Sequence, residues 1–265
     1  MSAAEGRAAE GRVADFARRV RARETLVGYW VVLDSPVSTE RLARVGYDYV
    51  CLDAQHGLLD YKGILAGMMA VDAGGASVGL VRVGANDPFL IGQSLDAGAA
   101  GVIVPLVNTP EDAARAVAAT RYPPVGVRSY GPMRSALRIG PTPAESNDST
   151  VVLAMIETPQ GLDNVEAICA TPGLDGIYIG PSDLRLAVGG SSPTDASVDD
   201  AFEAAAERIC VAAREAGVTA GFHTAGGQIA AKRLGQGFTL ATVSADLVHL
   251  EQAAATHLRA ARGQA

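Results

Sequence analysis

Lysine is nearly missing from this chain. Only Lys62 and Lys232 occur among 265 residues, and both fall within helical patterns rather than at a strand end. A Schiff-base mechanism needs an amine beside the reacting carbon, so that chemistry has no carrier here. Cysteine is also scarce. Cys51, Cys169 and Cys210 each sit in an apolar run. Their odd number, wide spacing and lack of a CxxC pair read as buried, reduced thiols of a cytoplasmic protein. No GxSxG occurs and no cysteine has a plausible histidine partner nearby in sequence, so nucleophilic triads have no basis. Basic clusters are absent: 22 Lys and Arg face 29 Asp and Glu, for a net charge of −7. Nucleic-acid binding needs clustered cations to replace counterions, and nothing supplies them. The opening stretch, MSAAEGRAAEGRVADFARRVRARE, alternates charge with alanine and lacks an apolar segment, so it is neither a signal peptide nor a membrane span. Residues 1–22 read as a frayed tail running into a short amphipathic helix, ahead of one domain over residues 23–265.

What is abundant is glycine, alanine and short apolar runs. The chain is 48% hydrophobic with 30 glycines and only 5% aromatics. This suits tight turns and small-residue helix packing rather than disorder. Nearly continuous apolar strands are expected at residues 26–33, 47–52, 77–83, 101–105, 151–156, 176–179, 219–223 and 238–243, the pattern of parallel strands covered on both faces. Helical patterns alternate with them at 38–45, 59–72, 88–97, 110–120, 160–170, 198–216, 227–234 and 247–261. About eight βα units with no second compositional regime predict an α/β fold, a single-domain (β/α)8 TIM barrel. Asn86-Asp87-Pro88 and Thr109-Pro110-Glu111-Asp112 mark helix starts through capping residues, first-turn proline and acids that favour the helix dipole. Residues 122–149, YPPVGVRSYGPMRSALRIGPTPAESNDS, break the rhythm. Such a long connection usually carries function, so it is expected to read the variable end of a substrate.

Chemistry in such barrels sits where the strands end. Glu157 closes VVLAMIE and Asp183 lies in IYIGPSDL, on consecutive strands and hence as neighbours. Two hard carboxylates without a Cys or His ligand pair suit Mg²⁺ or Mn²⁺. The simpler reading is that Glu157 caps a helix and Asp183 pairs with Arg185. Gly180, Pro181, Ser182 and Asp183 open a candidate helix whose free amides could hold a carboxylate; otherwise they form a plain turn. His56, in the turn Asp53-Ala54-Gln55-His56, is a candidate general base. It needs an acidic partner, for which Asp53 and Asp96 are available. Otherwise it is a loop histidine satisfied by backbone. Arg82 ends SVGLVRV and could bind a carboxylate or enolate oxygen, or simply pair with Asp87 or Asp53. Arg128 is a weaker candidate of the same kind, or a solvated loop charge. Trp30, the sole tryptophan, either walls the pocket or packs the core. His223 lacks a spaced partner for metal binding. Asp246 is most simply a first-turn acid.

The segments YDYVCLDAQHG, VRVGANDP, GVIVPLVNTPEDAARAVAATRYPPVGVRS, MIETPQGLDNVEAI and GLDGIYIGPSDL together resemble the HpcH/HpaI aldolase family, from about Gly28 to Ser244. The 4-hydroxy-2-oxoheptanedioate and 2-keto-3-deoxy sugar-acid aldolase branch is nearer than the citrate lyase β and malyl-CoA branch. The resemblance implies cleavage or formation of 4-hydroxy-2-keto acids, giving pyruvate and an aldehyde. It implies Glu157 and Asp183 as ligands of Mg²⁺, Mn²⁺ or Co²⁺, and His56 as base supported by Asp53 and Asp96. Arg82 would meet the keto oxygen, and Ser182 with Asp183 would offer amides to the carboxylate. It further implies a homo-oligomer, a trimer or hexamer, with the last helix exchanged between subunits. Gln55 stands where many relatives have Glu, and Met155 where some have Gln; Gln55 is counted among the substrate contacts. The alternatives on the same fold are a lyase or carbon–carbon ligase acting on a CoA thioester, phosphoenolpyruvate or oxaloacetate, and a barrel that binds an acid without turning it over.

Overall fold

Runs such as LVGYWV, YVCLD, VGLVR and VVLAM place bulky apolar side chains on both faces, and such strands are stable only when both faces are covered. In the computed structural model, which describes residues 3–140 and 142–264, eight parallel strands close in sequence order into a barrel. They are β1 (Leu26–Val31), β2 (Tyr49–Asp53), β3 (Val78–Arg82), β4 (Gly101–Val104), β5 (Val151–Met155), β6 (Gly176–Ile179), β7 (Thr219–His223) and β8 (Leu240–Ala245). The expected (β/α)8 barrel is therefore the fold. The strand positions agree with the expected ones to within two residues at each end.

Residues 1 and 2 of the expected tail lie outside the described residues. From Ala3 to Arg21 the chain forms one helix, α1, of 19 residues. Its Val13, Phe16, Ala17 and Val20 are buried and plug the N-terminal mouth of the barrel with Ile139. Above this plug the interior is filled by Leu26, Trp30, Tyr49, Cys51, Leu80, Ile103, Leu153, Met155, Tyr178 and Leu240. Tyr49 lies across Gly28, leaving no room for a Cβ there. Its hydroxyl shares Thr242 Oγ1 with Tyr178. The alternate strand residues, among them Val50, Leu52, Val81, Val102, Val152 and Ile177, face outward into a second buried layer against the helices. All three cysteines are buried and free.

The outer helices are α2 (Pro36–Ala43), α3 (Tyr61–Gly74), α4 (Pro88–Asp96), α5 (Pro110–Thr120), α6 (Pro143–Ser149), α7 (Pro159–Asp163), α8 (Val165–Cys169), α9 (Pro181–Ala187), α10 (Asp199–Ala216), α11 (Gly227–Gly235) and α12 (Asp246–Ala261). The expected caps are present. Asp87 accepts from the Phe89 and Leu90 amides, and Thr109 with Asp112 forms a reciprocal capping box. The helix expected at 160–170 is broken at Asn164 into α7 and α8. No helix among the described residues is long and apolar enough to cross a membrane.

The expectation for residues 122–149 needs correction. This segment joins α5 to β5, so it lies at the N-terminal end of the barrel, opposite the strand C-termini. It contains a 3-10 turn at Ser135–Leu137 and the helix α6. Arg134 and Arg138 both pair with Asp72, and Asn147 closes onto Tyr122. Within one chain it braces the floor and does not read a substrate at the mouth.

Candidate active site

The strand ends converge as the sequence implies. Asp53 and Arg82 are the last residues of β2 and β3 and stand in register. Arg82 Nε donates to Asp53 Oδ1 at 2.8 Å, and Nη2 to Oδ2 at 2.5 Å. Asp53 also accepts from the Trp30 indole N–H at 3.2 Å and from the amides of Gln55 and His56 at 3.0 and 3.2 Å. Burial disfavours its charge. The Arg82 hydrogen bonds and charge, helped by the two amides, more than offset this and hold its carboxyl below the usual range. The guanidinium is fixed at this edge and lies 5.1 Å from the Trp30 ring centroid. Both sequence readings of Arg82 meet in this pair: it is a salt bridge, and it is aimed into the site.

These residues border a cavity of about 220 Å³ over the barrel mouth, lined by Trp30, Asp53, His56, Arg82, Met155, Tyr178, Gly180, Pro181, Ser182, Asp183 and His223 with two further apolar residues. Trp30 is 3% exposed, so it packs the core and walls the pocket at once. Its ring stacks on Tyr178 and takes His223 edge-on. The β1–β8 pairing skips one residue between Gly28 and Trp30, a bulge of the kind that re-aims side chains near sites. Gln55 does not line the cavity, and its Oε1 is buried without a partner. His56 is exposed at the rim.

Glu157 follows β5 and is 3% exposed. One oxygen accepts from the Leu106 amide at 2.9 Å; the other, Oε2, is buried with no hydrogen-bond partner. The simpler readings of the two carboxylates are not realised. The cap of α7 is Thr158, which accepts from Gly161. Arg185 turns to Asp195 and Asp199 instead of Asp183. Burial pushes the Glu157 carboxyl up, and the neighbouring Asp183 charge adds to this. A Cβ on Gly180 would overlap Glu157 Oε2 and come within 2.9 Å of Met155 Cε, so this glycine leaves the space beside the free oxygen open. Two neighbouring hard oxygen donors, one buried and unpaired, fit a divalent cation that completes its shell with water and substrate. No cluster of three or more His, Cys, Asp or Glu side chains suited to a metal occurs among the described residues, so the protein would supply these two. On the adjacent α9, the first helical hydrogen bond runs from the Leu184 amide to Gly180. The Ser182 and Asp183 amides precede it and stay free, as at any helix start.

Two candidates are not brought to this site. Asp96 ends α4, which runs back toward the barrel floor. There it accepts from Arg128 Nη2 at 2.6 Å, so within one chain it does not support His56. Burial raises its carboxyl despite that arginine. Arg128 is neither a substrate clamp nor a solvated loop charge, because its side chain is fully buried between Asp96 and the Tyr122 ring. Conversely, sequence reasoning undervalued two residues. Asp246 opens α12, as a first-turn acid should, but is buried and also accepts from the amides of Val32 and Leu33 at 3.0 and 3.2 Å, tying down the end of β1. His223 lines the cavity. Sequence offered no partner for it, and only the closed barrel sets it against Trp30.

The HpcH/HpaI aldolase/citrate lyase family model matches residues 26–253. The chain belongs to that family. A 5-keto-4-deoxy-D-glucarate aldolase of Salmonella paratyphi A is 42% identical over 177 residues, 66% of this chain and 69% of that protein. Among solved structures, a family member from Burkholderia cenocepacia J2315 superposes with a TM-score of 0.84 at 32% identity, covering 94% of this chain and 99% of that one. The citrate synthase SbnG matches with a TM-score of 0.82 at 26% identity, over 93% and 97% of the two chains. The family match spans every strand that contributes to the cavity.

Proposed function

We propose that this protein is a carbon–carbon lyase, an aldolase that cleaves or forms 4-hydroxy-2-keto acids, with pyruvate and an aldehyde as the other side of the reaction. The observation that carries this reading is that the neighbouring Glu157 and Asp183 form no ion pair among the described residues, close to an Arg82 already held by Asp53. A divalent ion on Glu157 and Asp183, Mg²⁺, Mn²⁺ or Co²⁺, would supply Lewis-acid stabilisation of a 2-keto acid's enolate.

The chain's own residues do the rest. Ser182 and Asp183 direct free amides, from the Gly180-Pro181 turn, toward the substrate carboxylate. Arg82 donates to the keto oxygen as negative charge grows there; it is preorganised, so little rearrangement is needed. His56 takes the proton of the 4-hydroxyl. As the C4 oxygen becomes a carbonyl, the C3–C4 electron pair moves into the enolate, which is then protonated at C3. Asp53 supports His56 through its backbone amide and positions Arg82. Trp30 closes the side of the pocket and keeps water from the reacting carbons. Gln55 stands behind the turn that carries His56.

The test is a pyruvate-release assay over a panel of 4-hydroxy-2-keto acids. Release that disappears with EDTA and returns with Mg²⁺ or Mn²⁺ supports the reading; no release from any member contradicts it. The likeness to a citrate synthase favours one second reading, condensation on an oxaloacetate-type acid, which the same assay run with oxaloacetate distinguishes. Exposed Leu247, Leu250 and Leu258 on α12 support a homo-oligomer, trimer or hexamer, in which this helix packs on another copy; sedimentation tests it. The free, buried cysteines support a reducing, cytoplasmic setting.

A further inference from the structure

The cavity has two unlike halves. On the β2, β3 and β6 side the lining includes His56, Asp53, Arg82, Ser182 and Asp183, with Glu157 beside Gly180 just behind it; these are the groups that the proposed reaction uses. On the β7, β8 and β1 side the lining is Trp30, Val32, His223 and Ala245. The Trp30 indole N–H is already given to Asp53. That leaves His223 as the one side chain on this half with unused hydrogen-bonding capacity: among the described residues its ring makes no hydrogen bond, and Nδ1 is buried without a partner. The ring is held edge-on to Trp30, with centroids 4.9 Å apart, so its orientation is set before any ligand arrives. Buried polar atoms are rarely left unpaired unless something else pairs them. Burial, with the Arg82 charge adding to it, lowers the imidazole to about 4, so the ring is neutral at pH 7. A neutral imidazole offers one donor and one acceptor, which matches a hydroxyl group and gives a carboxylate no charge to pair with.

We propose that His223 is a specificity-determining residue that hydrogen-bonds a hydroxyl on the aldehyde half of the substrate, so that the site favours hydroxylated over unfunctionalised aldehydes. This rests on the aldolase reading and adds to it the chemical class of the second substrate. A buried polar group built for a partner discriminates strongly against an analogue that lacks it.

The experiment measures kcat/KM in the synthetic direction, with pyruvate, Mn²⁺ and either glycolaldehyde or acetaldehyde, for the unmodified chain, His223→Phe and His223→Gln. Exchange of pyruvate C3 protons with deuterated water is followed in parallel and reports the half-reaction that needs no aldehyde. The unmodified chain should prefer glycolaldehyde. His223→Phe, which keeps a ring against Trp30, should lose at least tenfold more on glycolaldehyde than on acetaldehyde. His223→Gln, which keeps a donor and an acceptor, should recover most of the preference. Equal losses on both aldehydes, or a fall in exchange as large as the fall in glycolaldehyde turnover, would overturn the assignment while leaving the aldolase reading in place. Absence of exchange in the unmodified chain would overturn the aldolase reading itself and the assignment with it.

Discussion

Asp53 and Arg82 end neighbouring strands in register and grip each other by two hydrogen bonds, at 2.8 and 2.5 Å. The carboxylate thereby fixes the guanidinium that, among the described residues, lines the cavity. Asp53→Asn keeps the size but leaves Arg82 without its counter-charge in a nearly closed setting. Removing one partner of a buried pair costs about 3 kcal/mol of stability, to be read by urea denaturation. The kcat/KM for cleavage should fall by about 100-fold, close to 3 kcal/mol of transition-state stabilisation. Unchanged kinetics would separate Arg82 from the reaction.

Gly180 matters for the space it leaves. A side-chain carbon there would overlap Glu157 Oε2 and crowd Met155 Cε at 2.9 Å. Gly180→Ala should therefore turn the Glu157 carboxylate away and weaken Mn²⁺ binding at least tenfold, or about 1.4 kcal/mol. Its backbone φ of −89° suits alanine, so the melting temperature should move little. Calorimetric titration with Mn²⁺ reads the effect, and unaltered affinity would count against Glu157 as a ligand.

His223 makes the unliganded protein sensitive to acid. Its folded pKa of about 4 lies below the ordinary histidine value of 6.5. Between those limits the unfolded chain binds the proton and the folded chain does not, so stability falls as pH drops from about 6.5 to about 4. The full effect is about 3 kcal/mol, less where the ring edge open to the cavity is wet. His223→Phe should flatten this limb in unfolding experiments from pH 4 to 7; a limb of unchanged slope would assign it to other groups.

Asp246 accepts from the amides of Val32 and Leu33, beyond the end of β1, as well as from its own helix. Asp246→Ala leaves those amides without their acceptor, at a cost of about 2 kcal/mol. Because Trp30 is the sole tryptophan and stands just before them, its fluorescence should shift to the red as the strand end loosens. An unshifted spectrum would mean that β1 holds itself in place.

The barrel was legible because its signal is repetitive. Eight apolar runs alternating with helices leave few topologies, and capping residues such as Asp87 and Thr109 mark their own helices. Glu157, Asp183 and Arg82 were legible by position, because strand ends must converge in a closed barrel. What was misjudged was which end of the barrel a connection faces, although the helix and strand bounds on either side were read correctly. Residues 122–149 were expected at the mouth and lie at the floor, because they follow a helix rather than a strand. The surroundings of Asp96 could not be fixed from sequence: it ends a returning helix and, within one chain, meets Arg128. Asn164 interrupts a helix whose only proline and glycine, Pro159 and Gly161, lie in its first turn and not at the break. His223 stood out at a strand end but showed no partner, because Trp30, against which it packs, is 193 residues away (223 − 30).

In the proposed reaction the two carboxylates, Glu157 and Asp183, serve the enolate of a keto acid. Proton exchange at pyruvate C3, followed by NMR in deuterated water, addresses that step without knowing the aldehyde. Exchange should occur with Mg²⁺ or Mn²⁺, stop with EDTA, return on adding the metal back, and fall at least 100-fold in Glu157→Gln. Full exchange in Glu157→Gln, or in protein stripped of metal, would contradict it.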